Sequence, residues 1–174
     1  MFLAGEDWAA RFEGFRQEAW RLETLPQYRM PQEEEEFEAF KAGARVDPDA
    51  VSNDYTDRLR RQVAEGRSQG RVHVVSRPLS DYLRFEFSQY YAPHALAGEQ
   101  IRILDVTDRA NPLDGVQDFW VFDRSEVVLM NYHPDGRQIN REVHEGDVDR
   151  FTEYQRIAIA ESVSFEEYVK GLDV

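Results

Sequence analysis

The stretch 71–106 constrains the fold of this chain more than any other. Arg71-Val72-His73-Val74-Val75 is short, β-branched and bounded by Gly70 and Pro78, the signature of a buried strand. Pro78 suits the first turn of a helix, where its missing N–H would have no intrahelical partner. That helix carries Leu79, Leu83, Phe87 and Tyr90 at near-helical spacing, and Pro93 limits its C-terminal end. Ile101, Ile103 and Leu104 then open a second apolar run. Strand, crossover helix and strand of this length predict a parallel βαβ unit around which the other elements pack.

Trp8, Phe12, Phe15, Ala19 and Leu22 recur at steps of four, three, four and three, which predicts one amphipathic helix over 6–23. Trp20 falls off this stripe and either widens the buried face or marks a contact surface. Pro31 and the acidic run Glu33-Glu34-Glu35-Glu36 predict the start of a second helix, since carboxylates complement the positive helix N-terminus. Four adjacent glutamates point around a helix in different directions, so no metal site is expected there. A third helix follows, with Val51, Tyr55, Leu59 and Val63 inward and Ser52, Asn53 or Asp54 as caps. Phe119-Trp120-Val121-Phe122 and 126–132, joined by Asp123-Arg124-Ser125, read as a β-hairpin, with an edge strand over 137–143. Helical spacing returns over 147–161, and Ser164 with Glu167 has the capping-box spacing of a last helical turn ended by Gly171. The expected architecture is a single α+β (mixed α/β) domain with a four- to five-stranded mixed sheet. A helical N-terminal layer occupies 1–70, the sheet and crossover helix 71–146, and C-terminal helices 147–174.

Charge and composition exclude some functions. The 174 residues carry a formal charge of −13, which argues against direct nucleic-acid binding, because phosphate contacts need clustered Lys and Arg. No apolar run approaches the roughly 20 residues that span a bilayer. The chain has no cysteine and opens without a basic, apolar secretory leader, so a cytoplasmic location is expected. Arg58, Arg60, Arg61, Arg67, Arg71, Arg77 and Arg84 form a basic island. It reads either as locally paired surface charge or as a strip for an anion or acidic partner.

Motifs with built-in chemistry are missing: no GxGxxG, no GxxxxGK[ST], no HExxH, no nucleophile elbow. No cofactor is expected. His73, His94, His133 and His144 are scattered; His73 reads as a hydrogen-bonded packing residue, and His133 with His144 lie within reach across the last turn. Two polar clusters are candidates for ligand or partner binding. One is Asp81, Arg84, Glu86 and Tyr90 or Tyr91 on the crossover helix, where Asp81 and Arg84 are spaced as an i, i+3 pair. The other is Asp118, Trp120 and Asp123 in the hairpin. Asp105, at the carboxyl end of a strand, sits where open α/β sheets bind ligands.

Phe15-Arg16-Gln17-Glu18-Ala19-Trp20-Arg21-Leu22-Glu23-Thr24-Leu25, the strand 71–75, Asp81-Tyr82-Leu83-Arg84-Phe85-Glu86 and 118–123 together resemble an uncharacterised actinobacterial family, a domain of unknown function. Its genes are often found beside small helix-turn-helix regulators, which implies an accessory or regulatory role. The element order is also similar to phospholipase D-like sensory domains, without their catalytic histidine–lysine motif. Three readings follow. The first is a non-enzymatic regulatory protein binding a partner protein, such as a DNA-binding regulator, with its acidity favouring a basic partner. The second is a small-molecule sensor holding a ligand between Arg84, Tyr90, Asp105 and Trp120. The third is an enzyme with a carboxylate or histidine base, Asp118 or His133.

Overall fold

The N-terminal helix stops at Gly14, well short of what its apolar spacing predicts. In the computed structural model, which describes residues 1–172, α1 (Gly5–Gly14) is followed by strand β1 (Glu18–Glu23) and helices α2 (Glu34–Lys41) and α3 (Asp54–Ala64). Next come β2 (Ser68–Val75), a crossover made of α4 (Asp81–Glu86), a π-helical turn (Phe87–Tyr91) and α5 (Ala92–Leu96), and β3 (Gln100–Asp105). The chain ends with β4 (Phe119–Phe122), β5 (Glu126–Tyr132), β6 (Gln138–Val143), α6 (Asp149–Glu161), the short β7 (Val163–Ser164) and α7 (Phe165–Lys170). The strands form one mixed sheet of seven, ordered β6-β5-β4-β1-β2-β3-β7.

The parallel βαβ unit stands as expected: β2 and β3 pair in parallel, with Val72 beside Arg102 and Val74 beside Leu104. The sheet has seven strands instead of four or five because β1 and β7 join it. β1 is central, parallel to β2 and antiparallel to β4. A strand buried on both faces loses its polar–apolar alternation, so its apolar residues fell into step with those of α1. The first 70 residues are therefore not a purely helical layer. What ends the helix is a tertiary acceptor: the Asp123 carboxylate takes the backbone N–H groups of Arg16 (2.8 Å), Gln17 (2.7 Å) and Glu18 (3.0 Å). Those donors would otherwise need carbonyls one turn back.

The crossover helix departs from the sequence reading at both ends. Pro78 lies before it, and Ser80 caps it by accepting the Leu83 N–H. At the other end Pro93 does not stop it. The π-helical turn puts Pro93 in the opening turn of α5, where its absent N–H costs little. The expected caps of α3 and α7 hold, with Asn53 and Thr56 forming a reciprocal box and Ser164 accepting the Glu167 N–H.

Three apolar clusters hold the layers. Trp20, Leu22, Val72, Val74, Phe119 and Val121 pack under Phe151 and Ala158 of α6. On the opposite face, Phe12 and Phe15 settle on Ala19, Trp120, Phe122 and Val128. Beside them, Leu83, Phe87, Tyr91 and Phe165 cover Val75, Ile101 and Ile103. Trp20 is thus a core residue. Between the last two clusters the same face carries the polar side chains of β1 and β2, among them the buried Glu23, Arg71 and His73.

Asp123 holds the β4–β5 turn, where it and Arg124 both have positive φ, against the start of β1. Burial would raise its pKa, but the three N–H donors keep it below the usual carboxylate range. Asp123→Ala is expected to cost about 2–3 kcal/mol of unfolding free energy in urea titrations at neutral pH. Because the folded pKa is lowered, this contribution is present above the ordinary carboxylate pKa and lost as pH falls. The gap between wild type and variant should therefore narrow in acid.

Candidate functional site

Strand alternation builds the site. In β1 and β2, Trp20, Leu22, Val72 and Val74 join the α6 core, so Arg21, Glu23, Arg71 and His73 occupy the other face. Register then sets Arg21 beside Arg71 and Trp120, Glu23 beside His73, and Met130 beside Arg141. Arg21, Glu23 and Arg71 of this row floor a cleft of about 850 Å³, with His73 fully buried beside them. α1 contributes Trp8 and Phe12 to its walls, α3 contributes Tyr55 and Arg58, and the crossover contributes Tyr82, Glu86, Tyr90 and Tyr91. Tyr28, Met30 and Glu33 from the segment after β1, with Tyr132 of β5, complete it.

The walls are aromatic and tightly coupled. Phe12 meets Trp8 and Trp120 edge-on at 4.9 Å each, Tyr28 meets Tyr132 at 5.1 Å, and Tyr55 stacks on His94 at 4.2 Å. Charge is segregated on them. Arg58 lies over Phe12 and Tyr55, and Arg141 lies over Trp8, so two guanidiniums flank the Trp8–Phe12 pair. Across the cleft the Tyr82 hydroxyl donates to Glu33 at 3.0 Å, with Glu86 at 3.5 Å. Buried polar atoms are nearly always hydrogen-bonded. Among the described residues Nε of Arg21, Arg58 and Arg141 are buried without a hydrogen-bond partner, while Oε1 of Glu86 and Nδ1 of His94 face ionic partners, His73 at 3.2 Å and Glu99 at 3.5 Å; all five belong to residues lining this cleft.

The floor is an ion network. Arg71 pairs with Glu23 and, at 2.7 Å, with Glu99; Arg21 lies 3.5 Å from Glu23 and 3.7 Å from Asp118. Burial alone would raise the pKa values of Glu23 and Glu99. The guanidiniums of Arg21 and Arg71 override it for Glu23, and Arg71 with His94 for Glu99, bringing each down to about 2. His73 donates from Nε2 to the Leu25 carbonyl at 2.8 Å; Nδ1 faces the Tyr91 hydroxyl at 2.9 Å, Glu86 at 3.2 Å and Glu23 at 3.4 Å. Burial lowers its pKa, and the two carboxylates more than reverse this. Glu33 goes the other way: burial, with Glu86 and Glu23 nearby, raises it to about 7.

The residues singled out from sequence scatter over several places. Glu86, Tyr90 and Trp120 line the cleft. Asp118 is buried close by, accepting from Thr24 and the Tyr28 hydroxyl, and burial pushes its pKa up. Asp81 and Arg84 line a second cavity of about 710 Å³ on the outer side of the crossover helix. Arg84 there turns to the Leu79 carbonyl, and among the described residues no ion pair joins it to Asp81. Asp105 belongs to a surface cluster with Arg77, Thr107 and Tyr168; against burial, their hydrogen bonds hold it at about 2. Asp123 is tied up in the turn. The grouping of Arg84, Tyr90, Asp105 and Trp120 around one ligand is therefore not formed. The basic island also disperses, with Arg60 on Asp57, Arg61 on Glu13, Arg77 on Asp105 and Arg71 buried.

Arg21 and Glu23 escape the sequence reading, and Arg71 enters it only within the basic island, although Arg-x-Glu and Arg-x-His at two-residue spacing in adjoining strands was their available signal. A model of the family described as Domain of unknown function (DUF6879) matches residues 6–170, and the chain belongs to that family. Among curated proteins no relative matches. Among the described residues no helix is long and apolar enough to cross a membrane.

Three substitutions test the electrostatics. Arg71→Met strands Glu23 and Glu99 in the interior and is expected to cost about 3–5 kcal/mol in denaturant unfolding. Arg60→Met, which breaks only an exposed pair, should stay within about 1 kcal/mol. A raised carboxyl pKa means stability is lost as pH climbs from the ordinary glutamate range through about 7. Glu33→Gln keeps an acceptor for Tyr82, so its melting temperature relative to wild type should rise with pH across that window and level off above it.

Proposed function

We propose that the chain is a small-molecule-sensing domain whose cleft takes a flat, amphoteric ligand: an aromatic ring with an acidic group at one end and donor or cationic groups at the other. The observation that carries this reading is the collection of unpartnered buried polar atoms in one open, aromatic-walled cleft. Ligand sites are concave, mostly apolar surfaces with a few convergent polar groups. Arg58 and Arg141 on the Trp8–Phe12 side match a carboxylate or phosphate, because guanidinium binds planar anions in pairs of hydrogen bonds. Glu33 and Glu86 on the Tyr82 side match hydrogen-bond donors. The aromatic faces between them match a ring.

The regulatory half of the proposal is that occupancy is read by a partner protein. The net charge of −13 favours a basic partner, such as a DNA-binding regulator. The resemblance to an actinobacterial family encoded beside helix-turn-helix regulators supports the same role, as a cysteine-free chain supports a cytoplasmic one.

The test is thermal unfolding of the full chain against aromatic amino acids, aromatic carboxylates and aromatic amines. A ligand at 100 times its Kd stabilises the native state by about 2.7 kcal/mol, enough to move the melting temperature by degrees. Amphoteric members are expected to give the largest shifts, and Arg141→Met should abolish them. No shift with any compound, or shifts indifferent to both Arg58→Met and Arg141→Met, would count against the reading.

A further inference from the structure

Glu23, His73 and Glu86 come from three separate elements, yet each offers one atom to a set lying within 4.8 Å of one another, all three residues buried. His73 sets the orientation. The Leu25 carbonyl can only accept, so Nε2 carries the proton and donates there. Nδ1 is turned toward Glu86 Oε1 and Glu23 Oε2. Metal-bound histidines are held in this way, with the far ring N–H given to a backbone carbonyl or carboxylate. Bonds of about 2.1 Å to nitrogen and oxygen place neighbouring ligand atoms roughly 3.0–3.4 Å apart. The 3.2 and 3.4 Å separations from Nδ1 match.

A second, independent observation points to something bound. The Glu86 side chain is 9 % exposed, and among the described residues its Oε1 has no donor unless His73 Nδ1, 3.2 Å away, carries a second proton. A buried carboxylate oxygen facing a bare ring nitrogen is costly to keep.

We propose that Glu23, His73 and Glu86 bind a divalent first-row transition ion at the floor of the cleft, with the Tyr91 hydroxyl within reach as a further oxygen. One imidazole nitrogen with carboxylate oxygens suits Mn2+, Fe2+, Co2+ or Zn2+ better than Mg2+ or Ca2+, which prefer all-oxygen shells. Glu23, Glu86 and Tyr91 all line the cleft, so the ion would face a bound molecule. The site stands on its own three residues and does not need the ligand reading to hold.

The experiment is a titration of the chelator-treated full chain with Co2+, followed by visible absorption, and with Zn2+ and Mn2+ by calorimetry. One equivalent is expected to bind, with Co2+ bands showing nitrogen and oxygen ligation. Glu86→Gln should weaken affinity on the order of 100-fold, at or above the upper end of losses seen for outer-shell changes, while the exposed Glu153→Gln should leave it unchanged. His73→Gln should remove the bands. If that variant does not fold, Glu86→Gln still decides, because among the described residues its Oε1 contacts no donor other than the ring nitrogen of the proposed site. Failure of all three ions to bind stoichiometrically would overturn the proposal. So would binding indifferent to Glu86→Gln, or a His73 ring whose nitrogen resonances stay those of a doubly protonated imidazolium throughout the titration.

Discussion

Arg71 between Glu23 and Glu99 is the interaction on which the molecule is arranged. A guanidinium in the middle of a sheet is tolerated only when its donors are met, and here carboxylates from β1 and from the loop before β3 meet them. That requirement fixes the register of β1 against β2, since a one-residue slip would turn Arg21 and Glu23 into the α6 core. It also fixes how far the crossover helix stands off the sheet, because Tyr91 reaches Glu23 and Glu86 lies against His73. The gap left beside that helix is the cleft.

The cost of burying these charges is met on the other side of the same strands. Trp20, Leu22, Val72, Val74, Phe119 and Val121 form an apolar core under α6, and well-packed apolar surface of this kind supplies most of a domain's stability. The sheet thus has one face packed under α6 and another that carries a polar row between two apolar clusters. The π-helical turn serves the same division. π-bulges occur frequently at functional sites, and this one carries the helix through Pro93 while presenting Tyr90 and Tyr91 to the cleft.

Legibility in the sequence followed the range of the forces involved. The βαβ unit, the hairpin at Asp123-Arg124-Ser125, the Ser164 cap and the helix over 34–41 were readable because neighbouring residues decide them. β1 was not. Its residues Ala19 and Leu22 continue the helical spacing of Trp8, Phe12 and Phe15, and only the Asp123 carboxylate, far along the chain, draws the backbone out of helix. Glu86, Tyr90 and Trp120 were reached as candidates through their chemical type. Arg84 and Asp105 have the same types and lie elsewhere, since sequence gives the chemistry of a side chain but not the direction it faces.

By itself, then, the sequence determined an α+β chain with a parallel βαβ core, capped helices and a formal charge of −13. Local propensity, capping and composition act within a few residues or over the chain as a sum, and they need no tertiary partner. The tertiary structure decided that a charged, apparently ordinary stretch would become the central strand. It also decided that Glu23, His73 and Glu86 would meet. That outcome belongs to strand register and to the packing of the crossover helix, which juxtapose residues that the linear order keeps far apart.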